Sequence, residues 1–298
     1  MIYLQHFGLR EAPFGITPDT SFFFACTSMQ EALNTLLVAV ANGEGFIKIT
    51  GEVGTGKTLL CRKLLSTLEG NWVTAYIPNP DLEPRTLLLA LADELGLKID
   101  HTLDQHHLIK ALNFSLLNFA RQKKRVIVCL DETQAMPLET LETLRLLTNL
   151  ETEKRKLLQV VLFGQPELDA KLAGESIRQL RQRITFQDHL GVLTEDETRR
   201  YLAHRMAVAG ANGDPVFSMA AERAIHRASR GVPRLINILA HKAMMLVYGE
   251  GGRHVHWKHV REAIKDTPAA TNWPQQWVWG FLVSVCLILL AWFLTAGR

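Results

Sequence analysis

The chain has 298 residues, of which 47% are hydrophobic and 21% are charged, and its net charge at pH 7 is +3. This composition is typical of a globular protein with ample core material, and the length is sufficient for two domains. The small net charge argues against a nucleic-acid binder, which would carry a strongly basic domain or patch. The four cysteines are far apart and form no CxxC pair, so the sequence does not indicate a disulfide framework or a zinc site.

The first part of the chain predicts an arm followed by a sheet with flanking helices. Residues 1–28 are rich in Phe, Pro and Gly and are expected to form an ordered, extended arm. Its aromatic side chains are interpreted as packing, adenine-side or subunit contacts rather than as a peptide-binding surface. Residues 29–190 alternate amphipathic segments with the apolar segments FIKIT, WVTAYI, RVIVCL, LLQVVLF and ITFQD. This alternation predicts an α/β fold with a doubly wound parallel sheet.

The pattern changes after residue 190. Residues 191–266 contain four helix candidates with no strand candidate between them, which predicts a small all-helical lid domain. The first of these helices should begin with a capping box, because Thr194 is followed three residues later by Glu197. Residues 267–276 contain proline and are expected to form a linker.

The last segment, residues 277–296, contains no charged residue and has about the 20 residues that cross a bilayer core. A buried soluble helix is the alternative, but such a helix seldom lacks a polar face over this length. Trp277 and Trp279 lie near one end and Trp292 near the other, as in interfacial aromatic belts. Lysines and arginines precede the segment and only Arg298 follows it. The positive-inside rule therefore predicts a single-pass protein with its domains in the cytoplasm and a short stub across the membrane.

The segment GEVGTGKT lies directly after a predicted strand and before a predicted helix, and it matches the pattern of a phosphate-binding loop. Its glycines let successive backbone N–H groups point toward one phosphate, and the following helix adds the positive end of its dipole. Lys57 is expected to contact the β- and γ-phosphates of ATP, and the Thr58 hydroxyl to ligate Mg²⁺. The predicted nucleotide-binding residues are Gly51, Glu52, Val53, Gly54, Thr55, Gly56, Lys57, Thr58 and Leu59.

Two acidic residues end the apolar segment VIVCLDE. Asp131 is expected to hold Mg²⁺, and Glu132 to orient and polarise the water that attacks the γ-phosphate. The alternative is that the two acids only cap the next helix. Beside a phosphate-binding loop, the pair predicts ATP hydrolysis.

Further polar residues follow the later strands and begin one helix. Gln165, in VVLFGQPEL, is placed to contact both the γ-phosphate and the attacking water. One of Arg178, Arg181 and Arg183 is expected to reach the nucleotide of a neighbouring subunit and stabilise the transition state. Their alternative is a basic surface on a helix. Arg234, in GVPRLIN, is expected to point back at the phosphates from the lid.

The phosphate-binding loop, LDE, GQPEL, RQRI and GVPRLIN together resemble an AAA+ ATPase. The opening YLQHFGLREAPFGITPDTSFFF is similar to that of the ExeA/GspA secretion ATPase family. The segments GEGFIKITGEVGTGKTLLCRKLL, AYIPNP and LINILAHKAMMLVYGEG resemble the MshM-type ATPases of MSHA-type (type IV) pilus biogenesis. The resemblance extends over nearly the whole chain up to Asp266.

The resemblance implies a sheet order of 5-1-4-3-2 and a homo-oligomer with ATP at its subunit interfaces. It also implies assembly of an envelope-spanning pilus or export machine at the bacterial inner membrane. Residue by residue, it implies Walker A residues Lys57 and Thr58, Walker B residues Asp131 and Glu132, first sensor Gln165, favoured trans-acting finger Arg183 and second sensor Arg234. The longer secretion ATPases continue into a peptidoglycan-binding domain that has no counterpart here, so direct cell-wall contact is not expected.

Two other functions fit the same motifs. AAA+ cores of this type also occur in the helper ATPases of transposition, although the modest charge and the apolar last segment argue against a nucleic-acid partner. The second alternative is a nucleotide-gated scaffold that binds ATP to assemble but turns it over little.

Overall fold

The computed structural model describes residues 2–149, 151–152 and 155–271. Among these residues, no helix is long and apolar enough to cross a membrane. The membrane span predicted at residues 277–296 lies outside the described part of the chain, as does most of the predicted linker. Within that linker, Pro268–Thr271 form a short helix.

The chain folds into two compact units, and it passes from one to the other between Ile16 and Thr17 and between Leu193 and Thr194. The α/β unit comprises residues 17–193, and the described residues of the helical unit are 2–16 and 194–271. The first part of the predicted arm, up to residue 16, packs within the helical unit, and its second part, from residue 17, packs within the α/β unit.

Five parallel strands form the sheet of the α/β unit: β1 (Phe46–Gly51), β2 (Trp72–Ile77), β3 (Arg125–Leu130), β4 (Leu158–Gly164) and β5 (Ile184–Leu190). Their order across the sheet is β2-β3-β4-β1-β5. The expected order 5-1-4-3-2 and the α/β fold with a parallel sheet are therefore confirmed. Since all strands run in the same direction, the chain after β1, β3 and β4 emerges at one edge of the sheet.

The helices of the α/β unit are α1 (Thr27–Asn42), α2 (Lys57–Thr67), α3 (Pro84–Glu94), α4 (Gln105–Arg121), α5 (Leu138–Leu147), α6 (Glu167–Leu172) and α7 (Arg178–Arg181). Local sequence explains several ends. Asp104 caps α4 by accepting a hydrogen bond from the His107 backbone N–H, and Gly43 ends α1 in the left-handed conformation. Leucines of α3 and α4, such as Leu87 and Leu108, are fully buried. Each such side chain contributes roughly 1.5–3 kcal/mol of hydrophobic stabilisation.

The structure differs from the sequence-based expectation after α5. The amphipathic run LETLETLRLLTNLE, residues 138–151, predicts a helix through Glu151. In the structure α5 ends at Leu147, and Glu151–Thr152 pairs antiparallel with Arg155–Lys156. The Thr148 hydroxyl donates to the Arg145 carbonyl at 2.8 Å, a local bond that competes with helix continuation. Strand β5 is longer than predicted, because its pairing with β1 continues to Gly51 opposite Leu190.

The helical unit contains α8 (Glu195–Val208), α9 (Met219–Ser229), α10 (Pro233–Gly249), α11 (Trp257–Lys265) and α12 (Pro268–Thr271). The predicted capping box is confirmed, since the Glu197 N–H donates to Thr194 Oγ1 at 3.2 Å and the Thr194 N–H donates to the Glu197 carboxylate at 3.0 Å. Residues 2–16 are held by buried Arg205, which donates to the carbonyls of Pro13 and Gly15.

Candidate nucleotide-binding site

Of the predicted nucleotide-binding residues, Gly51 ends β1, residues 52–56 form the loop between β1 and α2, and Lys57, Thr58 and Leu59 lie in the first turn of α2. Gly54 and Gly56 adopt φ values of 85° and 107°, in the region that favours glycine. A Cβ on Gly51 would lie 2.9 Å from Thr55 Oγ1 and 3.0 Å from Leu190, so the loop packs too closely for a side chain there. The buried Thr55 hydroxyl donates to the Glu52 carbonyl at 2.9 Å and closes the turn.

Lys57 begins α2 and is only 5% exposed. Its ammonium donates to the carbonyls of Gly51 at 2.7 Å and Glu52 at 2.9 Å. Burial lowers the pKa of Lys57, although the charges of Asp131 and Glu132 oppose this shift. The Lys57 ammonium is therefore bound to carbonyl groups of the loop itself, in a segment whose backbone N–H groups converge when it binds phosphate.

Thr58 and Asp131 lie together at the same edge of the sheet. The Thr58 hydroxyl donates to Asp131 Oδ2, and the Glu132 N–H donates to Asp131 Oδ1 at 3.0 Å. Burial raises the pKa of Asp131, and these two hydrogen bonds oppose the shift.

The hydroxyl of Thr58 and the carboxylate of Asp131 are oxygen ligands of the kind that Mg²⁺ prefers. Within the described residues, no group of three or more His, Cys, Asp or Glu side chains is placed to hold a metal ion. Mg²⁺ at this site would therefore complete its coordination with phosphate oxygens and water, which is its usual mode in phosphoryl-transfer sites.

Glu132 follows Asp131 in a left-handed conformation with φ 53°. Its Oε2 atom accepts hydrogen bonds from Gln134 Nε2 at 2.6 Å and Gln165 Nε2 at 2.9 Å. Burial alone would raise the pKa of Glu132, but these two hydrogen bonds and the charge of Lys57 bring it below its usual value. Glu132 is therefore ionised at neutral pH and able to accept a proton or a hydrogen bond from water.

Sequence reasoning missed two residues of this cluster, Tyr76 and Gln134. Tyr76 lies near the end of β2, and its hydroxyl donates to Asp131 Oδ2 at 3.5 Å. Burial, followed by the charge of Asp131, raises the pKa of Tyr76, so the hydroxyl stays protonated and remains a donor. The only sequence signal for either residue is its position beside the end of a predicted strand.

The three candidate arginines lie around α7, before β5. Arg178 and Arg181 are exposed, and Arg181 donates to the Ala173 carbonyl at 3.2 Å. Arg183 is half-buried, and its Nη1 lies 3.4 Å from both the Arg145 carbonyl and Thr148 Oγ1, at the end of α5. Within the described residues, no hydrogen bond joins any of the three to Lys57, Asp131 or Glu132.

Arg234 belongs to the helical unit, where it is exposed in the first turn of α10. Pro233 occupies the first position of this helix, as is common at helix starts. The role of Arg234 as a phosphate sensor stays a prediction.

Residues 40–172 match the family model described as "AAA domain". The matched residues lie within the α/β unit. The match covers the phosphate-binding loop, Asp131, Glu132 and Gln165, and it ends before the three arginines. In this unit, the strands carry the site at their carboxyl ends, where open α/β sheets bind their ligands.

A curated relative resembles the chain beyond the residues that match the family model. The chain is 42% identical over 254 residues to General secretion pathway protein A of Aeromonas hydrophila. The alignment covers 85% of this chain and 46% of that relative, so the chain spans about half the length of the relative.

Solved structures with the same fold include ORC2 of Aeropyrum pernix, with 18% identity, coverage of 87% of this chain and 74% of that chain, and a TM-score of 0.62. Cdc6p from Pyrobaculum aerophilum has 17% identity, coverage of 83% and 70%, and a TM-score of 0.63. The RuvB Holliday junction branch migration motor of Thermotoga maritima has 17% identity, coverage of 84% and 73%, and a TM-score of 0.57. At this level of identity, the likeness shows the fold alone.

Proposed function

We propose that this chain is a membrane-anchored AAA+ ATPase that binds and hydrolyses ATP to support assembly of an envelope machine. The machine would be a type IV (MSHA-like) pilus or a type II secretion-like apparatus. The observation that carries the ATPase proposal is the convergence of Lys57, Thr58, Asp131, Glu132 and Gln165 at one edge of the sheet. The similarity to General secretion pathway protein A supports the proposed place in envelope assembly.

Each residue of the cluster has a distinct role in the proposed reaction. Lys57 exchanges the carbonyls of Gly51 and Glu52 for the β- and γ-phosphate oxygens. Thr58 and Asp131 would hold Mg²⁺, which would neutralise charge on the phosphate oxygens. Glu132 accepts a hydrogen bond from the attacking water, orients it toward the γ-phosphate and takes up its proton, while the bond between the γ-phosphorus and the β–γ bridging oxygen breaks and ADP leaves.

The site is completed by a second copy of the chain in this proposal. Charge develops on the γ-phosphate oxygens in the transition state, and an arginine from a neighbouring subunit stabilises it. Arg183 is the favoured candidate by family resemblance. Arg178 and Arg181 are the more exposed side chains and are the alternative candidates. If the arginine acts in trans, the specific ATPase activity rises with protein concentration as oligomers form, whereas an activity independent of concentration contradicts the trans arrangement.

The proposed anchor is the segment 277–296, which would hold the ATPase at the inner membrane with its domains on the cytoplasmic side. Its support is the uncharged length of the segment and the lysines and arginines before it. We expect the full chain to remain with membranes after extraction at high salt and at alkaline pH, and to be released by detergent. Release without detergent contradicts the anchor.

The ATPase proposal is tested with the full chain purified in detergent, by measuring phosphate release from MgATP. Lys57→Ala removes the cation in the loop and should abolish turnover. Lys98→Ala is the matched control, since Lys98 is exposed outside the site, and it should hydrolyse ATP as the wild type does. If Lys57→Ala retains the wild-type rate, the site assignment is wrong. A wild type that binds ATP but does not turn it over favours the scaffold alternative.

A further inference from the structure

Gln134 links two loops of the site through one side-chain amide. Its Nε2 donates to Glu132 Oε2 at 2.6 Å, and its Oε1 accepts the backbone N–H of Gln165 at 3.0 Å. Glu132 follows β3 and Gln165 follows β4, and these strands are neighbours in the sheet. The amide therefore spans the gap between the ends of two adjacent strands.

The orientation of this amide follows from the chemistry of its partners. A backbone N–H can only donate, so the Gln134 oxygen must face Gln165. An ionised carboxylate can only accept, so the Gln134 nitrogen must face Glu132. Both ends are satisfied in one orientation and neither is satisfied in the flipped one, which makes the side chain a directional connection.

The backbone that carries Gln134 is itself held in place. The Thr133 hydroxyl, fully buried, donates to the Phe163 carbonyl at 2.8 Å. The Lys171 ammonium donates to the carbonyl of Gln134 and, at 2.7 Å, to that of Met136. Because Gln134 extends from a backbone segment that is held on both sides, its amide can fix the position of the Glu132 carboxylate.

A second amide occupies the same carboxylate oxygen. Gln165 Nε2 donates to Glu132 Oε2 at 2.9 Å, so the two glutamines share one acceptor atom. In the proposed reaction, the Gln165 side chain turns from Glu132 to contact the γ-phosphate. The Gln134 hydrogen bond involves the backbone of Gln165 and not its side chain, so it persists through that change.

We propose that Gln134 is a positioning residue that keeps the Glu132 carboxylate in place when the Gln165 side chain turns from that carboxylate to the γ-phosphate. This inference rests on the proposed ATP hydrolysis. Without Gln134, the departure of Gln165 would leave Glu132 without either amide at the moment when it must orient water. A displacement of about 1 Å at such a group costs on the order of a hundredfold in rate.

Two substitutions test the proposal in the full chain in detergent. Gln134→Met keeps the length of the side chain and removes both hydrogen bonds. Gln134→Glu keeps an acceptor for the Gln165 N–H but replaces the donor to Glu132 with a like charge. Gln122→Met is the matched control, because Gln122 is exposed at the end of α4, before β3 begins.

We expect kcat to fall by about tenfold or more in both Gln134 variants, because both lose the donor to Glu132. For Gln134→Met, KM for ATP and the affinity for a fluorescent ADP analogue should stay within about twofold, because binding depends on the loop 51–58 and not on this amide. The melting temperature should also be preserved. Gln122→Met should match the wild type in all four quantities.

A double variant tests whether Gln134 alone holds Glu132 during the chemical step. Gln165→Met removes the second amide, and the kcat loss caused by Gln134→Met should be the same in the Gln165→Met background as in the wild type, because the Gln165 side chain has already left Glu132. A markedly larger loss in the Gln165→Met background shows that Gln165 still holds the carboxylate during cleavage and overturns the proposal.

The failures are distinguishable. If the wild type shows no turnover, the proposed function itself fails. If the wild type is active and both Gln134 variants match it, only the inference about Gln134 fails. If both variants lose ADP affinity and melting temperature together with kcat, Gln134 has a structural role, and the inference about positioning is overturned.

Discussion

Substitution of Gly164, the last residue of β4, tests whether the sheet packs directly against the loop that carries Glu132. An added Cβ would lie 2.8 Å from Leu168 Cδ2 and 2.8 Å from Thr133 Oγ1, closer than real Cβ contacts. Both Leu168 and Thr133 are fully buried, so neither can move outward to relieve the clash. Overpacking of this kind costs about 1–3 kcal/mol, and Gly164→Ala should destabilise the α/β unit by that amount.

Hydrogen exchange followed by mass spectrometry measures the loss of stability in the α/β unit alone. This is needed because a single unfolding free energy is poorly defined for a protein with two units. Peptides covering β4 should exchange roughly 5- to 150-fold faster in Gly164→Ala, which is the same energy converted to a ratio of opening constants. Gly174→Ala is the control, because its Cβ would meet Lys171 O at 3.4 Å, an ordinary contact. Unchanged exchange of β4 in Gly164→Ala would refute the packing described here.

Three further predictions concern other contacts of the two units. Tyr76→Phe removes the hydroxyl that donates to the Asp131 carboxylate. We expect the Mg²⁺ concentration at half-maximal ATPase activity to rise a few-fold, with no change in melting temperature. An unchanged Mg²⁺ titration would show that this contact does not contribute to Mg²⁺ binding. Arg205→Met removes the hydrogen bonds to the carbonyls of Pro13 and Gly15, each of which contributes about 1.5–3 kcal/mol for a charged donor. Limited proteolysis should therefore cleave within residues 2–16 faster than in the wild type. Arg200→Met is the control and should be cleaved there as the wild type is. Burial lowers the pKa of His241, so the folded helical unit binds fewer protons than the unfolded chain, and its stability should fall as the pH drops below about 6.5. Amide hydrogen exchange of α10, corrected for the intrinsic exchange rates, should become faster over this pH range. His241→Gln should make the stability of α10 less dependent on pH.

The sheet could be predicted because its strands are short apolar runs separated by helix-length segments. Residues 126–130 are all buried, and they read as a continuous run in the sequence. The hairpin at 151–156 could not be predicted, because two-residue strands are too short to show any alternation. The division of the first 28 residues could not be predicted either, since it depends on buried Arg205, which is distant in sequence from the carbonyls it binds.

The main residues of the site could be predicted because their chemistry requires a fixed spacing next to strand ends. Lys57, Thr58, Asp131 and Glu132 stand at such positions, and the parallel sheet brings them to one edge. Gln134 could not be assigned a role in advance. A glutamine in a loop is ordinary, and only the pairing of β3 with β4 places it between Glu132 and Gln165.

The most direct test of ATP hydrolysis at this site compares the wild type with Glu132→Gln in a single-turnover experiment on bound, labelled ATP. We expect equal ATP affinity in the two proteins and cleavage at least about a hundredfold slower in Glu132→Gln, because the amide cannot take up the proton of the attacking water. Cleavage of bound ATP by Glu132→Gln at the wild-type rate would contradict the role of Glu132 in hydrolysis.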